Sequence, residues 1–411
     1  MSQLLRYDDH CRICGSRQVE TVLQLTDTPL EDRFLRHPRF QQTFPLEVAL
    51  CEQCGYLHLP YIVNPEASYS EYLYVSAVTE GLRNHYDAYA REIVSGFDIS
   101  QGALAVDLGS NDGSMLASFK RSGMRVVGVE PANAAAKAAN DRGLTTLVDY
   151  FTDTVAERIR RKEGPAGLVT ANYMFANVED PIAFVRSVVR LLDKDGLFVV
   201  QTGYHPEQMK INMFDYIYHE HFSYFTVEVL QYLFSMCGLE LIDAVKTSPK
   251  GGSLRVVAQL QGGTHPVRPS VSMLIEEERA SGMRNQETYR RFAERIRSSR
   301  ESVRAHLDTL KSQGSTIVGF GASHSTTTLL YHFGLDDYLE YLVDDNTLKH
   351  GTYSPGKHLP VYPADRLSQE EPCHILLLAW QHRETIIEKH KRLLDSGSTF
   401  IVPLPSLRVY P

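Results

Sequence analysis

Twelve consecutive residues, Phe214-Asp215-Tyr216-Ile217-Tyr218-His219-Glu220-His221-Phe222-Ser223-Tyr224-Phe225, bring together two imidazoles, three phenols and the Glu220 carboxylate. Such a density of polar groups is foreign to a core strand. An imidazole can accept a proton at neutral pH, a neighbouring carboxylate can orient it, and a phenol can donate a hydrogen bond to a developing enolate oxygen. Taken alone, the segment leaves two readings open: a proton-transfer site, or a cluster of satisfied polar groups at a helix start.

Two cysteine pairs form a second constellation. Cys11 and Cys14, and Cys51 and Cys54, are C-x-x-C knuckles with 36 residues between them, each followed by a glycine that lets backbone N–H groups approach the sulfurs. Four thiolates close a tetrahedral Zn²⁺ shell and leave no open position, so the expected role is structural. The remaining cysteines, Cys237 and Cys373, are isolated, a usage that suits metal binding in a reducing compartment better than a disulfide framework.

A third constellation is Val106-Asp107-Leu108-Gly109-Ser110-Asn111-Asp112-Gly113, with Glu130 lying 21 residues beyond Gly109. This is the pattern of the first crossover of a doubly wound sheet, where small residues admit a ligand to the backbone and an acid ending the second strand takes ribose hydroxyls. The spacing is not G-x-G-x-x-G, so no tight pyrophosphate cradle is expected.

These groups must be held by regular elements. Residues 1–68 read as a small β-rich module with little core of its own. From about Glu80 a helix leads into alternating strands and helices: ALAVDLG, RVVGVEP, the strand ending in VTAN, and LFVVQTG as strands, with PIAFVRSVVRLLDKDG as a helix. Such βαβ alternation implies a mostly parallel sheet. LELIDAVKT and SLRVVAQL pair as an antiparallel edge. Phe292, Ile296, Val303, Leu307 and Leu310 recur at helical spacing within a helical stretch from Ser272 to Ser312, and STIVGFGAS then opens a second strand–turn–helix unit. The expected organisation is a zinc-binding module over 1–68, a Rossmann-like domain over 69–265 and a smaller Rossmann-like α/β domain over 266–411.

The chain has 411 residues, 43% hydrophobic and 22% charged, and a formal net charge of −8. That excess of acid gives no electrostatic support for binding nucleic acid or an anionic membrane, so a small-molecule substrate is expected. No apolar run approaches the ~18 residues of a membrane span, and the start lacks a signal-peptide pattern; the expected compartment is the cytoplasm.

The D-L-G-S-N-D-G turn resembles the S-adenosylmethionine site of class I methyltransferases. By that resemblance Asp107, Gly109, Ser110, Asn111 and Gly113 form the donor loop, Glu130 holds the ribose, Pro131 and Ala132 flank the adenine, Asp149, Tyr150 and Phe151 border it, and Asn172 lies by the methionine end. Essentially the whole chain, in order, resembles the three-domain C-3-methyltransferases of nucleotide-linked 4-keto-deoxysugars. The shared features are the two cysteine knuckles, Tyr72-Leu73-Tyr74, DLGSNDG, FDYIYHEHFSYF, GGSLR ending at Arg255, GFGAS and VDDNTLKHGTYSPG. The resemblance implies His221 as general base, supported by Tyr218 and Glu220, with Tyr72 near the sugar. It implies a nucleotide-sugar substrate met by Tyr74, Asn177, Lys250, Arg255 and His324.

Three positions depart from the family. Asn177 and Lys250 stand where histidine is frequent, and Ser323-His324-Ser325 replaces a small-residue and lysine sequence. These departures put the identity of the sugar in doubt more than the reaction class. The third-domain turn Gly319-Phe320-Gly321-Ala322-Ser323-His324 is an incomplete dinucleotide fingerprint, because a third glycine is missing. Its helix start could instead receive a phosphate or close over the cleft, or the unit could be scaffolding. O- or N-methylation, a nucleic-acid methyltransferase and an NAD-dependent oxidoreductase are the alternatives.

Overall fold

The structure is a computed structural model that describes residues 4–64, 82–369 and 371–411. Its central sheet has seven strands in the order Leu239–Thr247, Ser253–Leu260, Leu192–Gly203, Ala166–Asn172, Leu104–Leu108, Arg125–Val129 and Thr146–Leu147. The last five run parallel, and the hairpin of the first two is antiparallel, as expected. Every residue of Leu104–Leu108 is buried, as a strand covered by helices on both faces requires. The carboxyl ends of Leu104–Leu108 and its neighbours form the crevice in which ligands of open α/β sheets sit. This is the class I methyltransferase arrangement foreseen from the sequence.

A six-stranded sheet, Val361–Pro363, Leu342–Asp344, Ile317–Phe320, His374–Leu377, Thr399–Val402 and Arg408–Tyr410, forms the C-terminal unit. The N-terminal part contributes Glu47–Cys51, Leu57–His58 and Val19–Gln24 to a four-stranded sheet whose fourth strand is Ser223–Tyr224. Ser223 pairs with His58 and Tyr224 with Leu57, so the polar segment read above ends as an edge strand of the cysteine module just before the helix Val227–Met236.

Two other elements differ from expectation. The stretch from Ser272 to Ser312 is two helices, Pro269–Ala280 and Gln286–Ser312, because Gly282 at φ +71° turns the chain and Asn285 caps the second helix by accepting from Glu287 N at 2.9 Å. The helix Pro181–Leu191 stops before LDKDG, since Leu192 is already extended. The predicted apolar face of Gln286–Ser312 is buried. It joins a core shared by Leu46 and Leu57 of the cysteine module, Phe214, Ile217 and Phe222 of the polar segment, and Phe320, Phe333 and Trp380 of the C-terminal unit. Each such aromatic or aliphatic side chain contributes about 1.5–3 kcal/mol by leaving water.

Asp215 anchors the polar segment to the C-terminal unit by accepting a hydrogen bond from Trp380 Nε1 at 2.8 Å. Burial pushes its carboxyl up to about 7, against the pull of the Trp380 and Gln381 donors. The folded protein therefore keeps a proton that the unfolded chain releases near pH 4, and the stability this gives is lost as pH rises through about 7. Asp215→Asn keeps an acceptor for Trp380 without the titration. Its thermal midpoint is expected to fall less than the parent's between pH 5 and 7, as read by thermal unfolding; an equal fall in both proteins would remove Asp215 from this role.

Candidate active site and cysteine centre

Three left-handed residues, Gly109 (φ +67°), Asn111 (φ +48°) and Gly113 (φ +78°), curl the chain back over the end of the second parallel strand. Gly109 N and Ser110 N both donate to Val129 O, at 2.8 and 3.1 Å. Gly109 is required twice over: its φ disfavours a side chain, and a Cβ there would lie 2.8 Å from Met174 Cγ. Glu130 is fixed by two backbone donors, Asn111 N to Oε2 at 2.9 Å and Ala132 N to Oε1 at 2.8 Å. Burial raises its pKa, and those two donors oppose the shift.

The crevice opens into a cavity of about 740 Å³, within the range of small-molecule sites. Gly109, Asn111, Glu130, Pro131, Asp149, Tyr150, Phe151 and Asn172 all line it. Phe151 meets Phe184 edge to face at 5.3 Å, an aromatic wall suited to a purine. Asp107 stands one layer behind. It is paired in register with Thr170, and its Oδ1 accepts from Thr170 Oγ1 at 2.6 Å and Asn172 Nδ2 at 3.1 Å. Burial raises Asp107 to about 7, and the Thr170 and Asn172 donors work the other way; a cation at the crevice would favour the carboxylate. Ser110 and Gly113 are absent from the cavity lining. Ser110 packs against Gly128, and Gly113 abuts Leu144 and Ala139, so both shape the loop from behind. A held carboxylate, an aromatic wall and a loop whose Gly109 presents no side chain fit S-adenosylmethionine.

Tyr218, Glu220, His221, Lys250, Asn177 and His324 line the same cavity. The two histidines of the polar segment part company here. His219 is buried, with Nδ1 at 2.8 Å from Glu31 Oε1 and Nε2 at 3.1 Å from Pro45 O. Glu31 and the Pro45 carbonyl engage both ring nitrogens and tie the segment to the N-terminal module. Glu31 raises the His219 pKa against burial. His221 instead turns to the cavity. Its Nδ1 donates to Tyr216 O at 3.0 Å, which leaves the Nε2 lone pair accepting from the Tyr218 hydroxyl at 2.9 Å. Burial pushes His221 down to about 3, aided by the charges of Lys250 and His324, so the ring is neutral at physiological pH.

Two expectations change at this point. Glu220 does not orient His221; its Oε1 lies 3.1 Å from His324 Nε2, and the Tyr216 carbonyl and Tyr218 hydroxyl orient His221. Arg255 is not in the cavity lining. It lies on a strand of the central sheet opposite Gln201, ion-paired with Glu92 and over the Tyr89 ring. Lys250 caps the Tyr173 ring at 4.2 Å. Tyr72 and Tyr74 lie outside the described residues. Tyr86, Tyr173 and Met174 line the cavity without having been foreseen. Tyr173 and Met174 directly follow Asn172, so the rule that ligands sit at the carboxyl ends of parallel strands could have found them.

The four cysteine sulfurs lie within 4.8 Å of one another, with Cys11 and Cys54 at 3.6 Å and Cys14 and Cys51 at 3.5 Å. Thiolates about 2.3 Å from a common centre give such spacings, so the donor set fits Zn²⁺. Each knuckle is closed by a glycine amide, Gly15 N to Cys11 O and Gly55 N to Cys51 O. Arg12, inside the first knuckle, reaches the cavity wall: Nη1 donates to Glu179 O at 2.9 Å and Nη2 to Phe222 O at 2.5 Å, one residue past His221.

The dinucleotide-like turn of the C-terminal unit is differently occupied. Ala322 N donates to Asp344 Oδ2 at 2.6 Å, and at the start of the helix His324–Phe333 stand Glu31 and Asp32. Thr327 Oγ1 donates to Glu31 O, and Asp32 pairs with Lys349 at 2.5 Å. The Ala322 amide of the turn is thus taken up by the Asp344 carboxylate, and the Asp32 carboxylate lies 3.8 Å from His324 Nδ1 at the helix start.

Family models match the chain in three consecutive pieces: a zinc-binding domain over residues 11–69, a methyltransferase domain over 83–244 and a C-methyltransferase C-terminal domain over 248–405. The chain is 35% identical over 413 residues to the C-methyltransferase NovU of Streptomyces niveus, covering 100% of this chain and 98% of that protein. It is also 27% identical over 109 residues to a ubiquinone biosynthesis O-methyltransferase of Actinobacillus pleuropneumoniae, covering 25% of this chain and 46% of that protein. Among solved structures, the magnesium protoporphyrin IX methyltransferase of Synechocystis PCC 6803 with bound SAM aligns with a TM-score of 0.33 at 14% identity, over 43% of this chain and 79% of that one.

Proposed function

The chain belongs to the C-methyltransferases built of a zinc-binding module, a class I methyltransferase domain and a C-methyltransferase C-terminal domain, and from that premise we propose that it methylates the carbon beside a ketone, on a nucleotide-linked 4-keto-deoxyhexose. The observation that carries the reading is the His221–Tyr218 pair, a neutral imidazole with its Nε2 lone pair at a phenol, in the same cavity as the Glu130 loop. S-adenosylmethionine, when bound, supplies an electrophilic methyl group on a sulfonium. Glu130 and the Gly109–Asn111 loop hold the donor, and Asn172 with Asp107 behind it faces the positive end.

At the acceptor end the Tyr218 hydroxyl turns its hydrogen bond from His221 to the ketone oxygen, and His221 Nε2 takes the proton from the adjacent carbon. The negative charge on the resulting enolate meets Lys250 and the Tyr218 hydroxyl. Because His221 stays neutral well below pH 6.5, no acid limb from its titration is expected near neutrality. Tyr72, Tyr74 and Asn177 complete the acceptor contacts in this reading. Residues 1–68 act as the zinc module, 69–265 as the donor domain and 266–411 as the unit that closes on the substrate. The unbridged cysteines suit a cytoplasmic enzyme; among the described residues no helix is long and apolar enough to cross a membrane.

The test is hydrogen exchange. With S-adenosylhomocysteine in place of the donor, the enzyme incubated in D₂O with thymidine-diphosphate-4-keto-6-deoxyglucose, or another nucleotide-linked 4-keto-deoxyhexose, is expected to place deuterium on a carbon next to the ketone. Transfer of a methyl group to oxygen or nitrogen, with no exchange at carbon, would overturn the proposal.

A further inference from the structure

We infer that His324, a side chain of the C-terminal unit, is the cation that neutralises Glu220 at the acceptor end of the cavity and so lets an enolate form beside that carboxylate. The inference rests on the carbon-methylation reading above and assigns a role to a residue outside the methyltransferase domain.

The position of His324 is unusual for a positive charge. It is the first residue of the helix His324–Phe333, whose start carries the positive end of the helix dipole, and Ser323 is the N-cap. Something must offset that disadvantage. Two carboxylates from two other parts of the chain do so: Glu220 Oε1 at 3.1 Å from Nε2, and Asp32 Oδ1 at 3.8 Å from Nδ1. Burial and Lys349 work against the charge, but Asp32 and Glu220 outweigh them and hold the imidazole up at about 9.

The groups facing His324 come from every neighbouring element. Tyr218, Glu220 and His221 belong to the polar segment, Asp32 to the N-terminal module, and Lys349 to the turn Thr347–Lys349; Lys250 lines the same cavity. The His324 ring lies 5.0 Å from the Tyr218 ring, at 31° to it. With His324 protonated, the set Asp32, Lys349, Glu220 and His324 carries two negative and two positive charges. Without that proton the set is net negative, and the free negative charge is Glu220, which lines the cavity with His221. A carboxylate so placed opposes any anion forming on the acceptor. Lys349 cannot take over, because it is engaged by Asp32.

The test compares full-length parent, His324→Gln and the double variant His324→Gln with Glu220→Gln. Deuterium exchange into thymidine-diphosphate-4-keto-6-deoxyglucose is followed from pH 6 to 10, with S-adenosylmethionine affinity by calorimetry and the His324 ring titration by ¹⁵N NMR. The parent is expected to lose exchange as pH rises through about 9. His324→Gln is expected to be slower by roughly 10- to 100-fold at pH 7.5 without that alkaline limb, at unchanged donor affinity. The double variant is expected to recover most of the loss, because removing both charges restores neutrality. A His324→Gln rate and profile equal to the parent's, or a double variant no faster than the single, would overturn the inference. Absence of exchange in the parent with every keto-sugar tried would count against the carbon-methylation reading instead. The NMR titration then decides: an imidazole neutral at pH 7.5 overturns the assignment of His324, and a protonated one supports it.

Discussion

Replacing His221 by Asn is expected to lower both deuterium exchange and methyl transfer by roughly 10²- to 10⁴-fold, the usual contribution of a positioned general base. Asn can keep a hydrogen bond to the Tyr216 carbonyl or to the Tyr218 hydroxyl, but it offers no basic lone pair. Donor affinity should be unchanged, because His221 bonds Tyr216 and Tyr218 while Glu130 is held by the Asn111 and Ala132 amides and Phe151 packs on Phe184. Loss of exchange and of methylation in equal measure is the informative result, since an interaction made only on the way to the transition state lowers the chemical step without weakening binding. Exchange at the parent rate in His221→Asn would move the base elsewhere in the cavity. A parallel Tyr218→Phe variant separates the two partners, for it leaves the imidazole in place and removes only the hydroxyl now 2.9 Å from Nε2.

Withdrawing zinc is expected to have a comparably large effect, by a different route. Closed four-thiolate sites in small domains contribute on the order of 10 kcal/mol of folding free energy through the metal. Here that energy holds more than the module. Arg12, between the first pair of cysteines, donates to Phe222 O and Glu179 O; Ser223–Tyr224 pairs with Leu57–His58, and Tyr56 Oη and Ser223 Oγ are hydrogen-bonded at 2.5 Å. The segment carrying His221 is therefore clamped from behind by the cysteine module. Chelation, or the double change Cys11→Ser with Cys54→Ser, is expected to lower the thermal midpoint and abolish methyl transfer, with metal content followed by elemental analysis. Arg12→Gln separates the clamp from the metal: it should retain zinc and yet lose at least tenfold in turnover. Full turnover in a zinc-free protein would refute the coupling.

How far the sequence reaches is clearest in the polar segment. Its two histidines are two residues apart and chemically identical on paper, so spacing cannot rank them. The resemblance to sugar C-methyltransferases points to His221, and the reason for the distinction is spatial. His219 is engaged on both ring nitrogens, by Glu31 and the Pro45 carbonyl, and is held away from the cavity as a tie to the N-terminal module. His221 meets one acceptor and one hydroxyl, and is left with a lone pair at the cavity. Those partners come from residues 31 and 45, far along the chain, and no local pattern announces them. The same holds for Glu220, which sits beside His221 in sequence but pairs with His324, more than a hundred residues away. Arg255 differs for a related reason: a motif gives a residue's neighbours along the chain, whereas its partners Glu92 and Tyr89 come from a helix far away in sequence.

The sequence by itself determined what depends on short-range chemistry. Two C-x-x-C knuckles define a four-sulfur centre because thiolates at that spacing converge on one ion. The D-x-G-x-x-x-G turn with Glu130 defines the ligand crevice of a doubly wound crossover because the left-handed positions and the acid at the strand end are both local to that crossover. The buried strands and the apolar stripe of Gln286–Ser312 follow from periodicity. Tertiary structure alone decided the hydrogen-bond partners of His219 and His221, the partner of Glu220, the clamp from the cysteine module and the arrival of His324 in the cavity. Electrostatics and hydrogen bonding act through space over a few ångströms, so a proton's location is set by whichever distant segments the fold brings within that reach.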